Sequence, residues 1–150
     1  MWPAMPGTEP RFSYVVGRLD RALRRRLDQA VRPHGLTVRQ YTTLSVLRAR
    51  SGLSNAQLAR RSLMTPQSMN EVLAALDALG FVQREPDESH GRVIRTRLTP
   101  TGLAALAACD RAVDRLEEEM LAELSGSERE QLLAALRNCA RMLGAGIHDE

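Results

Sequence analysis

Lysine is absent from this chain of 150 residues, so all 21 of its basic side chains are arginine. Cysteine and histidine are scarce as well, with two and three residues. Cys109 and Cys139 belong to no CxxC or Cys/His ligand spacing and are predicted to be buried free thiols in a reducing compartment. Because His34, His90 and His148 lie on separate segments with no HExxH spacing, the sequence predicts no metal site and no cofactor.

Long hydrophobic runs are also missing, since charged residues interrupt every apolar stretch before the roughly 18 residues that a membrane span requires. The opening segment MWPAMPGTEPR lacks the basic start and apolar middle of a secretory leader, and its three prolines predict a flexible tail over residues 1–10. We therefore expect a soluble, cytoplasmic protein without membrane contact. Its length and its 43% hydrophobic content suit a single domain with one core.

Catalytic signatures are not found: the sequence shows no nucleophile with a base, no carboxylate pair and no phosphate-binding glycine loop. We therefore expect a protein that is not an enzyme, and interpret the acidic run 117–119 as a solvated or partner-facing helix surface. Residues 11–50 hold ten arginines against two aspartates, whereas residues 100–150 hold five arginines against ten acidic residues. Opposite charges predict that the terminal helices lie against each other, within one chain or between two.

Six helices are predicted from apolar residues at helical spacing and from the caps that bound them. The first spans Phe12 to about Val31 and ends at the breaker cluster 33–35. The other five begin at Ser/Thr-x-x-Gln/Glu capping boxes or at Thr-Pro pairs, in which proline takes the first helical position. These start signals are Thr37 with Gln40, Ser54 with Gln57, Thr65–Pro66, Thr99–Pro100, and Ser127 with Glu130.

A β-hairpin with an arginine-rich face is predicted between the fourth and fifth helices. Residues 81–85 and 93–98 are β-compatible, and PDESHG between them is typical of a turn. The order of elements predicts a mostly α protein with a small β-wing: a winged helix-turn-helix flanked by helical extensions. In this motif the second helix of the pair enters the major groove and exposes its N-terminal residues to base edges and phosphates.

The residues at that helix start are the candidate DNA contacts. Gln and Asn can each form two hydrogen bonds with adenine, and Ser can serve several bases, although an ordinary exposed helix face is the alternative. Arg95 on the hairpin and Ser54, which begins the short preceding helix, are further candidates. The helix-start candidates are Thr65, Pro66, Gln67, Ser68 and Asn70.

The segments LSNAQLARRSLMTPQSMNEVLAALDALGFVQRE (53–85) and HGRVIRTRLTPTG (90–102) resemble MarR-type transcriptional regulators, and the resemblance covers nearly the whole chain. It implies a homodimer clasped by its terminal helices, binding pseudo-palindromic duplex DNA as a repressor that a small ligand often releases. The implied division is a dimerisation helix at 11–36, a DNA-binding region at 37–99 and C-terminal dimerisation helices at 100–150. The alternative is a protein-interaction module that has kept the fold and lost DNA binding.

The wing departs from the Asp-x-Arg pattern that is usual in the family, because this chain has His90-Gly91-Arg92. The resemblance makes Arg92 the minor-groove probe but supplies no Asp at position 90. Either Asp87 orients Arg92, or His90 makes the wing contact weakly pH-sensitive.

Three residues near the junction of the first two helices are candidates for the effector site. Arg18, His34 and Tyr41 offer a cation, an imidazole and a phenol, which suit an anionic aromatic compound, although packing explains Tyr41 equally well. Thiol sensing is disfavoured because no cysteine lies near the first helix.

Overall fold

The computed structural model describes residues 9–145. Most of the tail expected at residues 1–10, the chain end from 146 onward and the histidine at 148 lie outside the described residues. A mostly α fold with a small β-wing is confirmed. Its elements are α1 (Phe12–Val31), a 3-10 turn (Arg32–His34), α2 (Val38–Ala49), β1 (Leu53–Ser54), α3 (Asn55–Arg61), α4 (Pro66–Ala78), β2 (Val82–Pro86), β3 (Ile94–Leu98), α5 (Pro100–Met120) and α6 (Gly126–Met142).

The helix starts follow the predicted caps with one exception. The hydroxyls of Thr37, Ser54, Thr65 and Thr99 each accept a hydrogen bond from the backbone N–H three residues later. The box predicted at Ser127 with Glu130 is wrong, because α6 begins two residues earlier, at a box formed by Ser125 and Glu128. Both pairs have the same spacing and overlap in sequence, so the pattern alone does not select the one that forms.

The sheet has three antiparallel strands in the order β1-β3-β2. The predicted hairpin is β2 with β3, in a register that places Val82 opposite Leu98. On its other edge β3 pairs with β1, where Leu53 lies opposite Thr96. β1 was not predicted from the sequence, because a strand of two residues is too short to show any periodicity.

One core holds α2, α3, α4, α5 and the sheet together. Its fully buried side chains are mostly leucines, and they come from the apolar stripes of these helices. Cys109 is buried, as predicted, and burial raises the pKa of its thiol, with a further rise from the charge of Asp110. Cys139, also predicted to be buried, is exposed in the single chain because α6 has no buried residue at all.

The terminal helices α1 and α5 pack against each other, which confirms the contact predicted from their opposite charges. The Arg26 guanidinium donates two hydrogen bonds to the Glu119 carboxylate, at 3.1 and 2.5 Å. None of the helices in residues 9–145 combines the length and apolar character needed to cross a bilayer. Within the same range, no three His, Cys, Asp or Glu side chains lie together as metal ligands would.

Candidate nucleic-acid interface

Helix α4 is anchored by one face and exposes the other. Met69, Leu73 and Leu76 are fully buried in the core, so the opposite side of the helix faces outward. The turn from α3 into α4 is tight, and Leu63 adopts a positive φ of 54° there. Backbone of this kind lets two short helices meet at a steep angle, as a helix-turn-helix requires. The N-terminal end of α4 is therefore exposed to solvent, from Thr65 to Gln67.

The predicted helix-start residues share this exposed end, but their polar groups are not equally available. The Thr65 hydroxyl accepts from the Ser68 N–H at 3.1 Å and donates to the Ser68 Oγ at 3.0 Å. The Asn70 Oδ1 accepts a 2.5 Å hydrogen bond from the Asn55 Nδ2. Pro66 has no N–H to donate. Gln67 is exposed, and no group in the described range 9–145 hydrogen-bonds its amide.

Ser54 serves the local structure of α3. Its hydroxyl accepts from the Gln57 N–H at 3.3 Å, and its own N–H donates to the Gln57 Oε1 at 2.9 Å. Both groups of a capping box are thus engaged, and the residue is half-buried within β1. A DNA contact by Ser54 stays a prediction.

Asp87 orients Arg95 across the base of the wing, not Arg92 as one interpretation of the sequence had it. The Arg95 Nε and Nη2 lie 2.8 and 2.7 Å from the Asp87 Oδ2. The remaining arm of the guanidinium donates to the Gly52 carbonyl at 3.0 Å. A hydrogen bond from the Ser89 N–H, together with Arg95, holds the pKa of Asp87 below its usual value. Arg95 thus joins the wing to the loop before β1.

The tip of the wing presents Arg92 to solvent. The turn is closed below it by the Asp87 N–H, which donates to the Val93 carbonyl at 2.7 Å, and by the Val93 N–H, which donates to the His90 carbonyl at 2.9 Å. His90 and Arg92 are exposed, and no side chain of the described residues pairs with the Arg92 guanidinium. Arg92 is therefore free to reach a ligand, whereas Arg95 is engaged.

Of the three effector candidates, only Arg18 lines the recess that the described residues form on α1. Arg18 lies in a recess on α1 and donates a 3.4 Å hydrogen bond to the Tyr14 hydroxyl. Neither His34 nor Tyr41 is among the described residues that line it, which are Ser13, Tyr14, Gly17, Arg18, Arg21, Ala22 and Arg25. An effector site built from Arg18, His34 and Tyr41 stays a prediction.

Tyr41 belongs instead to a joint between α2 and α5. Its hydroxyl donates to the Asp110 Oδ1 at 2.7 Å, and Arg48 pairs with the other carboxylate oxygen. Burial and the hydrogen bond to Asp110 raise the pKa of Tyr41. Burial of Asp110 acts to raise its pKa, but the hydrogen bonds from Arg48 and Tyr41 outweigh that effect and keep the pKa low. Tyr41 thus has a structural role, because its hydroxyl binds Asp110 where α2 packs on α5.

Asn55 and Asp110 were not among the site residues predicted from the sequence. Asn55 looked like an ordinary residue of a helix start, and its partner is 15 residues away. Asp110 lay in an acidic helix among several equivalent carboxylates, 69 residues from Tyr41. No spacing rule connects positions so far apart, so both relationships needed the folded structure.

An exposed helix end beside a wing with a free arginine defines a winged helix-turn-helix protein of the nucleic-acid-binding class. A sequence profile described as the MarR family matches residues 34–93. The HTH-type transcriptional repressor Rv2887 of Mycobacterium tuberculosis is 34% identical over 120 residues, which is 80% of this chain and 86% of the relative. The transcriptional regulator HosA of Escherichia coli is 31% identical over 102 residues, 68% of this chain and 76% of the relative. The chain belongs to the MarR family and is a DNA-binding transcriptional regulator.

Solved structures agree with this assignment. The Rv2887 protein in complex with salicylic acid is 31% identical, covers 87% of this chain and 97% of its own, and superposes with a TM-score of 0.70. A mutant MarR of Escherichia coli in complex with operator DNA has the same fold, with a TM-score of 0.76, 21% identity, and coverage of 85% of this chain and 91% of its own.

Proposed function

We propose that the protein is a homodimeric repressor that binds pseudo-palindromic duplex DNA and is released by a small anionic aromatic effector. The observation that carries the proposal is the exposed start of α4, where the Gln67 amide is unengaged, beside a wing whose Arg92 is equally free. Gln67 reads a base edge in the major groove, and Arg92 enters the adjacent minor groove. Thr65, Pro66, Ser68 and Asn70 line the same groove.

The charge of the DNA-binding region favours groove contacts over nonspecific attraction. Residues 53–99 hold six arginines against five acidic residues. Long-range attraction to phosphates is therefore weak for one subunit, and affinity depends on two subunits engaging two half-sites at once. This argument supports a dimer on a two-fold symmetric operator.

The apolar surface of the terminal helices supports the same assembly. Helix α6 buries none of its residues within the described chain, and α1 exposes its own stripe. A free chain that exposed so many large apolar side chains on two helices would associate. We assign 11–36 and 100–150 to dimerisation and 37–99 to DNA binding. The exposed side chains are Phe12, Val15, Val16 and Leu19 on α1 and Leu132, Leu133, Leu136 and Met142 on α6.

The effector class rests on the chemistry of Arg18, His34 and Tyr41 and on the relative that was solved with salicylic acid, an anionic aromatic compound. Arg18, which already lies beside the Tyr14 ring, is the candidate cation for its carboxylate. Because bacterial operators lie in the cytoplasm, the proposal places the protein there. It also assigns the protein no catalytic activity and no cofactor.

Fluorescence anisotropy with the DNA upstream of the protein's own gene tests the proposal. We expect tight binding that weakens measurably with salt and that Gln67→Ala reduces by about tenfold. Leu136→Glu on α6 should reduce it further by preventing dimerisation, whereas Arg111→Ala, an exposed arginine of α5, should leave it unchanged. Absence of binding to any fragment at low salt, with the dimer intact by light scattering, would favour the protein-interaction module instead.

A further inference from the structure

Helix α6 has little packing of its own within the chain. None of its residues is buried, and it makes no extensive contact with any other helix or strand in residues 9–145. A helix of 17 residues that lacks tertiary packing is free to take many directions relative to the helix before it. The direction of α6 is therefore decided at the turn that connects it to α5.

Arg129, near the start of α6, bridges this turn with three nitrogens of its guanidinium. Its Nε donates to the Leu124 carbonyl, in the turn, at 3.2 Å. Its Nη2 donates to the Leu121 carbonyl, at the end of α5, at 3.0 Å, and its Nη1 donates to the Glu118 carboxylate, on the last turn of α5, at 2.8 Å. One side chain of α6 thus binds both the end of α5 and the turn itself.

These bonds restrict the angle between the two helices more than a single ion pair would. A guanidinium is rigid and planar, so three simultaneous hydrogen bonds fix its plane relative to all three acceptors. Two of the acceptors are backbone carbonyls, which cannot move unless the backbone of the turn or the end of α5 moves with them. Because the Arg129 side chain is only 29% exposed, water competes less for these bonds than at an open surface.

The apolar stripe of α6 is the surface whose direction Arg129 sets. Leu132, Leu133 and Leu136 follow Arg129 along α6 and are exposed. A second copy must meet this stripe together with the exposed stripe of α1, a helix that packs on α5. If α6 could swing about the turn, each association would first have to remove that freedom, which costs binding free energy.

We propose that Arg129 is a positioning residue for dimerisation, which fixes the angle between α5 and α6 so that a second copy meets the α6 stripe in one orientation. The inference rests on the proposed function, because dimerisation through α6 is part of that proposal. Loss of a positioning residue lowers the fraction of chains that are ready to associate, so it slows association. Loss of a side chain within the interface instead speeds dissociation.

Subunit exchange between two samples of the full chain, each labelled with a different dye, distinguishes these two effects. Because the chain has no lysine, an amine-reactive dye has the α-amino group as its target. The exchange rate gives the dissociation rate constant, and dilution gives the dimer dissociation constant. Arg129→Ala should raise the dissociation constant by roughly tenfold through slower association, with the dissociation rate nearly unchanged. Leu136→Ala, within the stripe, should instead raise the dissociation rate.

Three further variants test whether Arg129 acts through α5. Glu118→Ala removes one of the three bonds, so it should slow association less than Arg129→Ala does, and it should add nothing to Arg129→Ala in the double variant. Arg129→Lys keeps the charge but lacks the planar fork, and should recover only part of the loss. Arg141→Ala is the matched control, since Arg141 donates to Asn138 of the same helix and helical periodicity places it opposite the stripe. It should change neither rate.

The outcomes separate the role of Arg129 from the dimer itself. Faster dissociation in Arg129→Ala, with unchanged association, would mean that Arg129 contacts the partner directly and would overturn its positioning role. Equal rates for Arg129→Ala and Arg141→Ala would overturn it as well, and both results leave the dimer intact. A monomeric parent, or a dimer that Leu136→Ala does not weaken, contradicts the proposed dimerisation surface, and the role of Arg129 falls with it.

Discussion

Asp87 and Arg95, eight residues apart, pair across the base of the wing, with the Arg95 Nη2 2.7 Å from the Asp87 Oδ2. The same guanidinium reaches the Gly52 carbonyl, so one arginine fastens the wing to the loop that precedes β1. The sequence had placed Arg95 among the DNA contacts. Because Arg95 already binds Asp87 and the Gly52 carbonyl, we interpret it as a residue that supports the wing. The wing in turn holds Arg92 in position.

Removal of either partner of this pair should therefore weaken operator binding to a similar degree. We expect Asp87→Ala and Arg95→Ala each to reduce affinity several-fold, because each loosens the wing, and we expect neither to change the slope of affinity against salt much. Anisotropy titrations at several salt concentrations measure both quantities. If Arg95 instead contacted a phosphate directly, Asp87→Ala would strengthen binding, and Arg95→Ala alone would lower the salt slope by about one per contact.

Arg92 is expected to behave differently from Arg95. Arg92→Ala should cost about 1 to 3 kcal/mol of binding free energy per contact and reduce the salt dependence, because an exposed guanidinium with no internal partner among the described residues is free for the minor groove. Arg92→Lys keeps the charge but lacks the planar fork, and should recover only part of the loss. The same titrations with Arg111→Ala serve as the control, and equal affinities for Arg92→Ala and Arg111→Ala would refute the role of Arg92.

The joint of Tyr41, Arg48 and Asp110 should make stability depend on pH. Because the pKa of Asp110 is lowered in the folded protein, its stabilising effect is complete above the pKa of an ordinary aspartate, about 3.9, and disappears as the pH falls through the lower folded value. Asp110→Asn should cost about 1 to 2 kcal/mol at neutral pH and much less in acid. Urea unfolding at pH 7 and at pH 3 measures the difference.

Asp114→Asn, a change at an exposed aspartate on the same helix, is the matched control and should leave stability nearly unchanged at both pH values. A destabilisation by Asp110→Asn that is equally large at both pH values would show that the carboxylate charge is not what stabilises the joint.

Gly102, near the start of α5, lies against the backbone of Phe81, the residue before β2. A Cβ at this position would lie 2.0 Å from the Phe81 carbonyl oxygen, a backbone atom that cannot move aside cheaply. The same corner is held by Thr99, whose hydroxyl donates to the Gly80 carbonyl at 2.6 Å. Gly102→Ala should therefore destabilise the fold by about 1 to 3 kcal/mol or more, despite the higher helix propensity of alanine.

Thermal unfolding followed by circular dichroism tests this prediction against Gly126→Ala, where the added methyl group meets nothing within 4 Å. The control should keep the parent's melting temperature or raise it slightly. An unchanged melting temperature in Gly102→Ala would mean that α5 can shift away from Phe81 at no cost.

Local signals predicted most of this fold. The capping boxes at Thr37 and Ser54 and the Thr-Pro pairs place four helix starts, because each cap satisfies backbone groups within four residues. The resemblance to MarR-type regulators also predicted which segments form the wing and α4. The error at Ser127 arose where two overlapping boxes compete. β1 was missed because it is supported by pairing with β3, in which Leu53 lies opposite Thr96, far along the chain.

The site was predicted less completely than the fold. Positions on α4 followed from the motif, but the state of each polar group did not, because partners such as Asn55 for Asn70 come from another helix. Asp87, which one interpretation paired with Arg92, pairs with Arg95 instead, and a weakly pH-sensitive wing contact through His90 stays a prediction. Hydrogen-bond partners are set by tertiary geometry, which sequence spacing describes only within one helix or strand.

The measurement that tests the central claim most directly is a hydroxyl-radical footprint of the protein on an operator obtained by selection. A homodimer that inserts α4 into successive major grooves should protect two half-sites about 10 base pairs apart, related by two-fold symmetry. Gln67→Ala should lose both protected regions together at the same protein concentration. A single protected region, or uniform protection that Gln67→Ala does not alter, would contradict the account.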